Sequence, residues 1–142
     1  MRGRVLGIDV GERRVGLAVS DATQTLARPL TTLTVNGRQD AVTRVVVEIE
    51  RLAAEEDGVV AIVVGLPLRL DGSPSQQTPR VAAFVDALAA RTVLPIVRMD
   101  ERLTSREAES RLAIRERDWR RRKARLDAAA AAIILQDYLD TL

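Results

Sequence analysis

The chain has 142 residues, 46% hydrophobic and 30% charged, with a formal net charge of +2. That length suits one domain with a single well-buried core and is too short for two lobes around a cleft. Cysteine and histidine are both absent, which excludes disulfides, thiol nucleophiles, Cys/His zinc sites and every triad built on histidine.

Any chemistry must therefore come from Asp, Glu, Lys, Arg, Ser, Thr or Tyr, or from a metal that those hold. Hard oxygen ligands select Mg²⁺ or Mn²⁺. No apolar run approaches the ~20 residues of a membrane span, and the N-terminus has no signal-peptide pattern. A cytoplasmic location and no membrane partner are expected. All 22 basic residues except Lys123 are Arg. Coding bias in a GC-rich genome accounts for that preference; the placement of charge says more. Basic residues outnumber acidic ones between Arg98 and Arg125, and the rest of the chain is net acidic.

Val5–Val10 and Val15–Val19 are short β-branched runs on either side of a glycine-rich turn and predict a hairpin. The glycines at 11 and 16 are read as serving that hairpin. Asp9 lies inside the first run, where burying a carboxylate costs several kcal/mol, in order of magnitude, without a cation or N–H groups to compensate. Leu26–Val35 predicts a third strand, with Pro29 suited to an edge. Ala41–Glu56 predicts a helix with Val42, Val45, Val46, Ile49, Leu52 and Ala53 on one stripe. Val59–Val64 reads as a central parallel strand buried on both faces and broken by Gly65-Leu66-Pro67. Residues 68–78 are polar and loop-like. Thr78-Pro79 predicts the N-cap and first position of a second helix that runs to about Ala90. Val93–Met99 predicts a fifth strand ending at Asp100-Glu101-Arg102. Thr104-Ser105-Arg106-Glu107 forms a capping box for a third helix with Leu112 facing the core. Trp119–Arg125 is a basic stretch, and Asp127–Leu139 predicts a last, Ala-rich helix.

A meander of three strands followed by helix–strand crossovers predicts an α/β sheet with helices on both faces, built as one domain over residues 1–142. Ligands of such sheets collect outside the carboxyl ends of neighbouring parallel strands. If strand one lies beside strand four and strand four beside strand five, Asp9 and Asp100-Glu101 share that edge. Asp127 would reach it from the first turn of the last helix. Three carboxylates so grouped repel unless divalent cations bridge them. Two such ions activate water and stabilise a leaving oxygen in phosphodiester hydrolysis.

Four stretches closely resemble the YqgF/RuvX family, in order and at compatible spacing over nearly the whole chain. They are Asp9 to Asp21, Gly65-Leu66-Pro67 with Asp71-Gly72, Asp100 to Ser105, and Asp127 to Gln136. The resemblance implies a ribonuclease H-like fold, a mixed five-stranded sheet in the order 3-2-1-4-5 with strand 2 antiparallel. It also implies an endonuclease that uses Mg²⁺ or Mn²⁺, with two ions, on precursor 16S rRNA or Holliday junctions. Carried over residue by residue, it makes Asp9, Glu101 and Asp127 the metal ligands and catalytic acids. Many ribonuclease H-like nucleases place an acid at the end of strand four, where this chain has Gly65-Leu66-Pro67. The second ligand then falls to Asp100 or Glu101; alternation puts these two on opposite faces, and Glu101 is favoured, with Asp100 as its substitute.

Each residue also has an ordinary reading. Asp9 would be a carboxylate capped by turn N–H groups, Glu101 a surface partner of Arg98 or Arg102, and Asp127 an acid at a helix start, favourable by ~0.3–1 kcal/mol anywhere. For nucleic-acid contact the candidates are Arg13 and Arg14 in the first turn, and Arg69, Gln76 and Gln77 in the polar loop. Arg102, Trp119, Arg120, Arg121, Arg122, Lys123 and Arg125 complete the set. Charge runs are usually solvated flanks, and Trp119 suits the core as well as a base stack. Two other functions compete with the nuclease: a non-catalytic RNA-binding factor of ribosome assembly, and an actin-like ATPase fragment, for which the chain has room for only one of two lobes. A homodimer would favour the junction, because two symmetric cuts need two sites; no apolar dimer stripe is visible.

Overall fold

The computed structural model describes residues 3–101 and 119–142, with side chains of the last helix described from Asp127 onward. β1 (Arg4–Val10) and β2 (Arg14–Ser20) form the antiparallel hairpin, and β3 (Ala27–Thr34) pairs antiparallel with β2. α1 (Arg38–Ala53) leads to β4 (Val59–Leu66), which lies parallel to β1. α2 (Thr78–Ala89) leads to β5 (Ile96–Asp100), parallel to β4, and the chain ends in α3 (Trp119–Leu139). The sheet order is β3-β2-β1-β4-β5. Pro29 lies on the edge strand β3, where its missing N–H costs no ladder bond.

Strand alternation divides the core in two. Leu6, Ile8, Leu17, Ile62 and Val64 face α1 and α2, packing with Val45, Ile49, Phe84 and Leu88. Val5, Ala18 and Val63 face the other way, onto Ala131, Ile134, Leu135 and Leu139 of α3. The buried stripe of α1 is Ala41, Val42, Val45, Ile49 and Leu52. Among the described residues, no helix is long and apolar enough to cross a membrane.

Several boundaries differ from the sequence reading. β4 runs through Gly65 and Leu66, which pair with Met99 and Asp100, so Pro67 is the breaker. The continuous buried run of β4 is Ile62 to Gly65, since Val60 is exposed. β5 starts at Ile96, not Val93: Val93 is fully exposed, the Thr92 hydroxyl accepts the Leu94 N–H at 3.2 Å, and Pro95 has no N–H to pair. The N-cap of α2 is Gln77, without a side-chain cap. The Thr78 hydroxyl instead donates to the Pro67 carbonyl and accepts the Ser75 N–H at 2.8 Å, fastening the loop. The largest correction concerns the last helix. Among the described residues it already includes Trp119, because Trp119–Leu126 contains no breaker and is rich in Arg, a good helix former. The helix predicted from Thr104 lies outside the described residues.

Gln136 fastens α3 to the start of β3. Its Oε1 accepts the Ala27 N–H at 2.9 Å and its Nε2 donates to the Thr25 carbonyl at 3.0 Å. Gln136→Ala leaves both backbone groups without that partner and is expected to lower the unfolding free energy by about 1–3 kcal/mol, measured by urea denaturation.

Candidate active site

On β1 the residues facing α3 are Val5, Gly7 and Asp9, so alternation delivers the Asp9 carboxylate to that face at the strand's carboxyl end. On β5 the same face carries Val97 and Met99, and Glu101 continues it one residue beyond the strand. The Glu101 N–H donates to the Leu66 carbonyl at 3.1 Å, extending the ladder. Asp100 belongs to the opposite face and is exposed. The acid that meets Asp9 is Glu101.

Gly65 makes that meeting feasible. A Cβ there would lie 2.8 Å from Glu101 Oε2 and 2.5 Å from Ile134 Cδ1. The absent side chain at the end of β4 is thus the space into which the β5 carboxylate extends. Gly16, the antiparallel partner of Asp9, has a second such role. A Cβ on Gly16 would stand 2.0 Å from the Asp127 carbonyl oxygen. Only a residue without a side chain lets α3 come down here, and that contact sets Asp127 beside Asp9. The hairpin reading of Gly16 missed this, although glycine inside a strand is itself a sign of close backbone approach. Asp127 lies about two turns into α3, so its expected position at a helix start, and the favourable macrodipole there, do not hold.

The charges are arranged accordingly. Burial, foremost, together with the neighbouring Asp127 charge raises Asp9 to about 6, against a hydrogen bond from Glu101 that lowers it. Glu101 is pushed up to about 9, first by burial and then by the Asp9 charge and the hydrogen bond between the two. Both carboxyls are held above their ordinary range, so at neutral pH the pair shares a proton across the hydrogen bond between them. Glu101 Oε2 is buried with no hydrogen-bond partner. Asp127 forms an ion pair with the Arg14 guanidinium, Nε to Oδ2 at 3.2 Å, without the geometry of a hydrogen bond.

Among the described residues, no group of three or more His, Cys, Asp or Glu side chains is arranged to hold a metal ion. The donor chemistry of the Asp9–Glu101 pair does fit a hard divalent cation: two carboxylates at one place, one raised by the other's charge, and one oxygen without a donor. A cation there would relieve the repulsion that a shared proton relieves now.

Of the nucleic-acid candidates, Arg13, Arg69, Gln76 and Gln77 are exposed around the same sheet edge. Arg14 is committed to Asp127. The polar loop is closed by its own bonds: Leu68 bridges Pro74, and Asp71 Oδ1 accepts the Ser73 N–H at 2.9 Å and hydroxyl at 2.6 Å. Arg102 lies outside the described residues. Trp119, Arg120, Arg121, Arg122, Lys123 and Arg125 are on the helical backbone of α3 ahead of Asp127, and their side chains lie outside the description.

A family model described as "RuvX: Holliday junction resolvase" matches residues 3–141. A Roseiflexus sp. (strain RS-1) protein named "Putative pre-16S rRNA nuclease" is 44% identical over 139 residues, covering 98% of this chain and 95% of that one. A protein of the same name from Chloroflexus aggregans is 46% identical over 136 residues, covering 96% and 92%. Among solved structures, Thermus thermophilus RuvC in complex with a Holliday junction substrate superposes with a TM-score of 0.55 at 16% identity, over 99% of this chain and 95% of that one. That likeness shows a shared ribonuclease H-like fold.

Two outcomes follow from the geometry. Because both acids bind protons more readily in the fold than in the unfolded chain, this pair's contribution to metal-free stability is fully present below the ordinary carboxylate range. It falls as pH rises from the ordinary carboxylate range towards about 9. In EDTA, urea unfolding should give more than about 1 kcal/mol greater stability near pH 5 than near pH 8.5, and Glu101→Gln should shrink the difference. Gly16→Ala should force α3 off the sheet, costing at least about 1–3 kcal/mol, read as a lower melting temperature.

Proposed function

The chain belongs to the RuvX family, and from that premise we propose that it is a metal-dependent endonuclease hydrolysing phosphodiesters in structured nucleic acid. The observation that supports this most is the half-buried meeting of Asp9 and Glu101 at the carboxyl edge of a ribonuclease H-like sheet, with Asp127 next to them. Residues 1–142 then act as one nuclease domain. Precursor 16S rRNA is the first candidate substrate, following the names of the relatives, and a branched DNA junction the second, following the family description.

In this reading Asp9 and Glu101 hold Mg²⁺ or Mn²⁺, two ions in the full complement, with Asp127 as the third ligand; Asp100, exposed on the opposite face, drops out as the substitute for Glu101. A bound divalent cation supplies water activation and stabilisation of the leaving oxygen. The chain's own residues do the rest. The Asp9–Glu101 pair gives up its shared proton so that both acids are anionic. Arg14 holds Asp127 in register and neutralises it while the site is unloaded. Arg13, Arg69, Gln76 and Gln77 meet phosphate or sugar along the edge. The basic run Arg120–Lys123 with Arg125, together with Arg102 and Trp119, extends that track. Junction cleavage in two symmetric cuts would bring two copies of the chain together.

One observation favours a second reading, a non-catalytic RNA-binding factor. Asp127 is already ion-paired, and no three-acid metal group is formed among the described residues. Cleavage assays separate the two. With Mn²⁺ and either a precursor rRNA fragment or a four-way junction, the wild-type chain should cut. Asp9→Asn, Glu101→Gln and Asp127→Asn should each lose about 10²-fold or more in rate while binding at least as tightly, since a charge that repels phosphate is gone. Normal cutting by Asp9→Asn would remove the assignment; binding without cutting by the wild type would favour the second reading.

A further inference from the structure

On the face of the sheet opposite the acids, a small crevice with about 50 Å³ of room opens between the β1–β2 turn and the first turns of α1 and α2. Val35 and Phe84 are among its apolar floor residues, and Arg38, Arg80 and Glu12 are among its lining. Both arginines are exposed. Among the described residues Arg4, Arg14, Arg44, Arg51 and Arg98 are each ion-paired with a carboxylate, whereas Arg38 and Arg80, like Arg13, Arg28 and Arg69, have neither an ion pair nor a side-chain hydrogen bond. Two guanidiniums without carboxylate partners thus share one concave site with a single carboxylate.

The crevice lies at the same strand end as the acidic edge, on the other face. Val10, which lines it, follows Asp9 directly in β1, and alternation sends the two to opposite faces of the same strand end. Arg13, exposed on the turn between them, marks the way across. We propose that Arg38 and Arg80 hold a backbone phosphate of the nucleic acid, away from the bond being cut. The strand would pass over the β1–β2 turn, with its scissile bond at Asp9 and Glu101. Guanidinium forks suit this task, because they grip a phosphate through paired N–H donors and carry no sequence information. Glu12 at the rim limits the affinity. The inference rests on the nuclease reading and adds the residues that fix the register of the strand.

The test measures binding by fluorescence anisotropy in EDTA, with the full chain and two labelled probes, a four-way DNA junction and a structured precursor rRNA fragment. Arg38→Gln combined with Arg80→Gln should weaken binding about tenfold or more and reduce the steepness of the log K against log salt plot. On the junction that reduction is roughly 0.9 for one lost phosphate contact. The melting temperature should stay as in the wild type, since neither side chain bonds to the fold. Glu12→Gln should tighten binding about twofold or more. Unchanged affinity and slope in the double variant, or weaker binding by Glu12→Gln, would overturn the crevice assignment and leave the nuclease reading intact. Failure of the wild type to bind or cut either probe would remove both.

Discussion

The backbone of α3 comes down on β2 at a distance that no side chain could occupy, and the placement of the acids depends on that contact. Gly16 gives room for the Asp127 carbonyl, Gly7 for the turn of helix around Ala131 and Leu135, and Gly65 for Ile134 and the Glu101 carboxyl. Three strands are therefore bare at the points where the helix crosses them. The apolar contacts of Ala131, Ile134 and Leu135 hold the helix down, and Gln136 fixes it along its length. Helix, hairpin and β5 converge on one edge because the sheet beneath lacks side chains where they need space.

That convergence conflicts with electrostatics, and the protein resolves the conflict locally. Asp9 and Glu101 share a proton, and Asp127 takes the Arg14 guanidinium. Each device is reversible. A proton can leave, and an arginine on an exposed hairpin can turn to another anion. A fully neutralised apolar site of the same shape would be more stable, so the acid cluster is a cost to the fold. Such costs gather where chemistry is done.

Much of this was legible in the sequence, for identifiable reasons. Alternation at the end of the fifth strand is a strong signal, and it separates Asp100 from Glu101, the two acids between which the choice of ligand lay. The order 3-2-1-4-5 came with the family resemblance, and the sheet has it. What sequence handled poorly were features decided between elements. Thr78 resembles an N-cap, but its hydroxyl serves Pro67. Gly16 resembles a hairpin glycine, but the helix above it explains its presence. Asp127 resembles a helix start because the arginines before it read as a charged flank, although they are good helix formers. The crevice at Arg38 and Arg80 joins residues from three elements far apart in sequence, so no local pattern announces it.

The position of Asp127 in mid-helix limits how the chain can vary. An acid on a loop tolerates a change in loop length, but each residue added to a helix turns everything beyond it by roughly 100°. One insertion between Asp127 and Ala131 would leave either the carboxylate or the apolar seam facing the wrong way, and no neighbouring side chain could compensate. In this chain the spacing from Asp127 to the apolar seam is therefore fixed by helix geometry, while the residues between them face a weaker demand on their identity.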